Sequence, residues 1–219
     1  MTSGRPAGAP LLLRFPFTGR WVAQNSPADR VPSHGTHAFG SSHAIDFVAV
    51  DEHGHSAPRG WRSAFATEPP DRFIGFDAPV LAPVDGTVVI AHDREPDHEA
   101  RRSPLTLLPY LLSQSRRAQQ GAGGLAGNHV VIAARESGPF VLLAHLRRGS
   151  MGVRVGDVVR VGMPIGRCGN SGNSTEPHVH VQASDSIEWS TARGIPIAFA
   201  SAGERAGWMP RNRVAFDVK

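Results

Sequence analysis

The chain cuts its apolar residues into short runs and closes nearly every run with a turn former. HAIDFVAVD (43–51), PVLAPVDGTVVIAHD (79–93), NHVVIAAR (128–135), FVLLAHL (140–146), HVHVQAS (178–184) and RVAFDVK (213–219) are all of this kind. Runs of four to eight residues rich in Val, Ile and Phe are too short for stable helices and suit strands. The 24 glycines and 18 prolines supply the breaks. This patterning predicts an all-β fold of antiparallel sheets. Within 79–93, Asp85-Gly86 between two apolar runs reads as a hairpin turn. One helix is expected, SPLTLLPYLLSQSRRAQQ (103–120), kinked at Pro109. It lies in an Arg-rich, then Gly-rich insertion at 94–127, and its leucines are expected to pack on the sheet rather than form a lid. With 219 residues and no internal repeat, the chain reads as a single domain, with a core at about 31–184.

Composition narrows the function classes. The formal charge is +4, and the basic residues are spread along the chain rather than gathered in a block. Nucleic-acid binding is therefore not expected. Cys168 is the only cysteine, so an internal disulfide and a thiolate metal cluster are both excluded. Any metal site must use histidine and carboxylate, and eleven histidines permit one. The N-terminal three-leucine run is broken by Arg14 and Pro16, short of the roughly 7–15 apolar residues of a signal peptide. No run reaches the roughly 20 residues of a membrane span. As written, the expectation is a soluble, cytoplasmic chain.

The histidines carry the chemistry. In GNSGNSTEPHVHVQ (169–182), His178 and His180 stand at i and i+2, so one strand face would present both. A catalytic zinc site takes three protein ligands and keeps a position open, and His and Asp are suitable donors. SHGTHAFGSSHAIDF offers His34, His37, His43 and Asp46. Asp46 interrupts an apolar strand, where a carboxylate is costly unless it is paired or binds a cation. His43, three residues from Asp46, would point to the opposite face of a regular strand. His145 is likewise a polar residue ending an apolar run, which taken alone suits a core histidine with a hydrogen-bond partner. The HGH of 53–55 sits in a loop and reads as solvated.

Taken in order, SH…AIDF (34–47), APVDGTVV (82–89), NHVVI (128–132), LLAHL (142–146) and VRVGDVVRVGMPIGRCGNSGNSTEPHVHVQ (153–182) resemble the M23 peptidases, the LytM/lysostaphin-type zinc endopeptidases of bacterial cell walls. The resemblance implies one Zn2+ per chain, held by His34, Asp46 and His180. It implies that His145 and His178 are catalytic, stabilising developing charge and moving a proton between water and the leaving amine. The chain departs from the family pattern in one place. Where many members place a histidine four residues before the aspartate, this sequence has Ser42. An earlier SH followed by a longer gap is the alternative form, which favours His34 and leaves His37 as its rival.

The implied substrate is a peptide bond of peptidoglycan stems or cross-bridges, which lies outside the cytoplasmic membrane and sits uneasily with the missing signal peptide. A catalytically inactive LytM-type domain that binds cell wall or a partner is the alternative, though such relatives usually lose ligands and here each has a candidate. A biotinyl or lipoyl carrier, suggested by the APVDGTVV hairpin, needs a lysine at a turn. The only lysine is the terminal Lys219.

Overall fold

The short runs become strands. A computed structural model describes residues 9–107, 121–200 and 207–219. In chain order the strands are β1 (Leu11–Arg14), β2 (Gly19–Gln24), β3 (Ile45–Ala49), β4 (Pro79–Leu81), β5 (Gly86–His92), β6 (Asn128–Ala133), β7 (Phe140–Leu146), β8 (Val158–Val159), β9 (Pro164–Arg167), β10 (Val179–Ser184), β11 (Ile197–Ala200) and β12 (Ala215–Val218). Eight form one antiparallel sheet in the order β12-β2-β3-β10-β7-β6-β5-β8. β4 pairs antiparallel with β9, and β1 pairs parallel with β11. The expected all-β, antiparallel fold class is the observed one, although β1 and β11 run parallel.

Alternation along the strands gives the large sheet two different faces. Ile45 and Phe47 of β3, Val179 and Val181 of β10, and Val141 and Leu143 of β7 point to one side and join the main core. That core also draws in Leu13, Phe15, Phe17, Trp21, Ile197 and Phe199, so residues on both flanks of 31–184 are built into it. Phe15 stacks on Phe199 at 5.0 Å between ring centres, and Phe17 on Trp21 at 4.0 Å. The opposite face carries Asp46, His180, Gln182, Ala144, Leu142 and Val131.

The Asp85-Gly86 hairpin does not form. β4 and β5 lie in different sheets, and the segment carrying β8 and β9 pairs with both. Asp85 accepts a hydrogen bond from the Val161 amide, 2.7 Å away, so it anchors that distant segment. Val80 and Val88 are both fully buried, and reaching two layers outweighs local turn preference. Gly86 is needed for close approach. A Cβ there would lie 2.2 Å from the Ala133 carbonyl oxygen, a backbone atom that cannot move aside. Gly86→Ala is expected to cost about 3 kcal/mol, read as a lowered midpoint in urea unfolding with an unchanged slope.

Among the described residues helical structure is sparse. A short helix, α1 (Trp61–Phe65), was not anticipated, and 3-10 turns cover Ala38–His43 and Pro70–Arg72. Most of the helix expected at 103–120 lies outside the described residues; Pro104–Leu107 and Gly121–Ala126 are helical. Between them and α1, the buried Glu68 is gripped by Arg102 through two hydrogen bonds of 2.8 Å. Among the described residues no helix is long and apolar enough to cross a membrane.

Candidate metal centre

Register brings the site together. His180 of β10 stands directly opposite Asp46 of β3 on one side and Ala144 of β7 on the other. Asp46 Oδ1 lies 2.8 Å from His180 Nδ1, and its Oδ2 lies 3.0 Å from His34 Nε2. One ligand atom from each of His34, Asp46 and His180 falls within 4.8 Å of the others. His178, just ahead of β10, turns its Nε2 to 3.6 Å from Asp46 Oδ1. The rings of His145 and His178 are 4.6 Å apart between centres. All five residues singled out in the sequence therefore converge. His37 and His43 do not: His37 is exposed and bonds Ser42 Oγ at 3.0 Å, and His43 closes a 3-10 turn.

His145 reaches this face by a backbone irregularity. Strand parity would place it beside Leu143, in the core. Instead the β6–β7 register shifts, with Ala144 and His145 facing the single residue His129. His145 adopts a left-handed conformation, φ 63°, unusual for a residue with a side chain. A bulge of this kind re-aims the extra residue. The bend is pinned by the Gly169 amide donating to the His145 carbonyl, 3.0 Å, and by His145 Nδ1 donating to the Ser171 carbonyl, 2.9 Å.

The loop 169–177, read as a turn, is what holds the two outer histidines. Gly172 has φ 70°, and a Cβ on it would sit 2.3 Å from the Gly127 nitrogen. That close crossing seats Ser171, whose Oγ accepts from the Asn128 amide and donates to the Leu146 carbonyl. His178 Nδ1 donates to the Glu176 carbonyl at 2.8 Å, with Ser174 Oγ alongside at 3.0 Å.

The partners of each ring fix which nitrogen is bare. Ser33 Oγ is spent on the Ser41 carbonyl, so it accepts from His34 Nδ1 at 3.1 Å, and in the neutral ring Nε2 then turns a lone pair to Asp46. The Gln182 amide nitrogen donates to the Phe39 carbonyl, which turns Gln182 Oε1 toward His180 Nε2 at 3.0 Å. In the neutral ring His180 Nδ1 then carries the lone pair as well. Lone pairs of two imidazoles thus point at a carboxylate, an arrangement that requires a cation or a proton among them. This donor set, two neutral imidazoles and one carboxylate, suits a zinc ion. Asn25 adds a hydrogen bond of 2.8 Å to Asp46 Oδ2.

Charges in the centre respond accordingly. Burial opposes ionisation of Asp46, but His34, His178 and His180 together hold its carboxyl well below the usual carboxylate range. Burial likewise works against the His34 imidazolium, while the Asp46 carboxylate raises its pKa above the ordinary histidine value. Burial, then the neighbouring His178 and His180, push His145 well below that value, so it stays neutral.

Asn25, Ser33 and Gln182 were missed in the sequence, where each is one polar residue among many. Only Gln182, two places after His180 on the same strand face, had a signal that could have exposed it. Gln182→Leu is expected to weaken zinc binding about 10–100-fold, measured by competition with a chromogenic chelator, because His180 then loses the acceptor that fixes its ring.

The centre lines a cavity of about 780 Å³. Its walls include Gln24, Asn25 and Glu176 on one side and Phe39, Leu142 and Trp189 on the other.

Residues 114–191 match the family described as Peptidase family M23, a stretch that contains His145, His178 and His180. The resemblance drawn from the motifs is therefore found independently in the C-terminal half of the site. No curated protein sequence matches the chain. Solved structures are distantly similar. A variant of the catalytic domain of the prophage-encoded M23 protein EnpA from Enterococcus faecalis is 17% identical, covering 71% of this chain and 75% of its own, at a TM-score of 0.40. The catalytic domain of the antimicrobial peptidase lysostaphin from Staphylococcus simulans is 20% identical, covering 73% and 80%, also at 0.40. A zinc-containing peptidase from Vibrio cholerae is 18% identical over 64% of this chain and 46% of its own, at 0.34.

Proposed function

We propose, from the match to peptidase family M23 and the geometry of the centre, that this chain is a zinc-dependent endopeptidase acting on peptides of the bacterial cell wall. The observation that carries the reading is the convergence of two imidazole nitrogens, His34 Nε2 and His180 Nδ1, on one buried carboxylate. His34, Asp46 and His180 are the residues to hold one zinc ion. Bound there, zinc supplies a Lewis acid that polarises a carbonyl and makes water acidic near neutral pH.

The chain's own residues do the rest. His145 and His178 each spend Nδ1 on a backbone carbonyl, so each keeps Nε2 available at the cavity. His145, with Nδ1 tied to the Ser171 carbonyl and Nε2 at the cavity, is the ring placed to take a proton from the attacking water. His178, its Nε2 3.6 Å from Asp46 Oδ1, is the ring placed to pass that proton on to the departing amine. Their bonds to backbone hold both rings still, so little reorganisation is needed as charge develops. Glu176, Asn173 and Thr175 line the same cavity.

The test is purification without added metal, followed by mass-spectrometric metal analysis and digestion of peptidoglycan and of glycine-containing bridge peptides. About one zinc per chain is expected, with new amine termini released. Chelation should abolish release and added zinc restore it. Zinc without hydrolysis of any wall peptide would instead indicate the binding-only domain.

A further inference from the structure

The face that carries the histidines does not end with them. From His180 the register leads across to Ala144 and from Gln182 to Leu142, and on β6 Leu142 meets Val131. Ala144, Leu142 and Val131 form a separate apolar cluster with Ala126, and Trp189 packs against it. Strand spacing is about 4.8 Å, so this floor begins one strand from His180. The opposite flank, toward β2, is polar, with Gln24, Asn25 and Glu176.

Two aromatic side chains stand at the edge of the apolar floor. Trp189 comes from the loop after β10 and rests edge-on against the His129 ring, 5.5 Å between centres. Buried His129 is itself fixed by a bond to the Gly127 carbonyl. Phe39 is 39% exposed and sits at φ 58°. A bulky residue in that conformation is strained, and its carbonyl is held by Gln182, the residue that also orients His180. Strain kept beside a ligand cavity is characteristic of sites that clamp a ligand.

We infer that Ala144, Leu142, Phe39 and Trp189 form a subsite for a branched aliphatic side chain of the peptide, next to the bond that is cut. This rests on the peptidase reading and makes it narrower: glycine-only peptides leave the floor empty, and peptides with an apolar side chain fill it. Filling a preformed apolar pocket discriminates against the smaller side chain by about 10–200-fold.

The first measurement is binding, on the full chain after chelation so that nothing is cut. Acetyl-Gly-Leu-Gly-amide and acetyl-Gly-Gly-Gly-amide are titrated while the indole N–H resonances are followed by NMR, Trp189 being assigned from Trp189→Ala. The leucine peptide should bind about tenfold tighter or more and shift the Trp189 resonance. Trp189→Ala and Phe39→Gly, the latter suited to the left-handed backbone, should each reduce the preference. Equal binding of both peptides, or a preference unchanged in both variants, overturns the subsite. The zinc-loaded enzyme is then assayed on the same sequences lengthened at both ends. A matching preference in kcat/KM supports the subsite. Hydrolysis of neither these peptides nor any wall peptide, with the binding preference intact, overturns the peptidase reading and leaves the pocket standing.

Discussion

Asp46→Ala is expected to strip the protein of zinc and to lower hydrolysis by at least about 10³-fold. Asp46 touches both His34 and His180 and receives the Asn25 amide, so its carboxylate is the hub of the centre. Its removal leaves two neutral imidazoles, too few donors for a closed set of three. Metal analysis of the purified variant, with circular dichroism as a folding control, reads this directly. His34→Ala should lose zinc in the same way, while His37→Ala and His43→Ala keep it. The reason is geometric: His34 Nε2 is 3.0 Å from the carboxylate, whereas the His37 ring is exposed and bonded to Ser42. Loss of zinc in His37→Ala with retention in His34→Ala would overturn the ligand assignment.

The second large effect separates chemistry from metal binding. His145→Ala and His178→Ala are each expected to keep one zinc per chain and to lose about 10²–10⁴-fold in kcat, with KM little changed. Neither ring is needed to complete the set of His34, Asp46 and His180. Each has its outer nitrogen tied to backbone and its inner one at the cavity, the disposition of a proton-transfer group. The double variant should cost less than the product of the two single losses, because groups that act as a unit are not additive. A zinc-free His178→Ala would place that ring among the ligands instead.

Much of this centre is written in local pattern. Asp46 is legible because a carboxylate inside IDFVA is anomalous, and His178 with His180 because period two puts them on one face. The strands are legible for a similar reason, since β-branched runs bounded by Gly and Pro have few other uses. His145 is legible only as a polar residue in an apolar run. Its side of the sheet depends on a bulge whose cause is long-range, the crossing of the 169–172 loop over β6 and β7. The misread hairpin at Asp85-Gly86 fails in the same way. A turn signal describes four residues, but the partners of β4 and β5 were decided by a segment some 75 residues further on. Asn25, Ser33 and Gln182 act through single hydrogen bonds, and a single polar residue leaves no period or spacing to read.

The pairing of β3 with β10 has a kinetic consequence. His180 and Asp46 are 134 residues apart, and only three residue pairs join the two strands. Closing so long a loop costs entropy before any contact rewards it, and topologies dominated by distant pairings fold slowly. β6 and β7 are joined by a short connection and gain their contacts early, whereas the carboxylate meets its imidazoles only when the first fifty residues dock on the last third of the chain. Competence to take up metal should therefore appear in the slowest refolding phase, after most β structure has formed. A zinc-responsive dye and far-ultraviolet dichroism, followed in one stopped-flow experiment, would show the second signal leading the first.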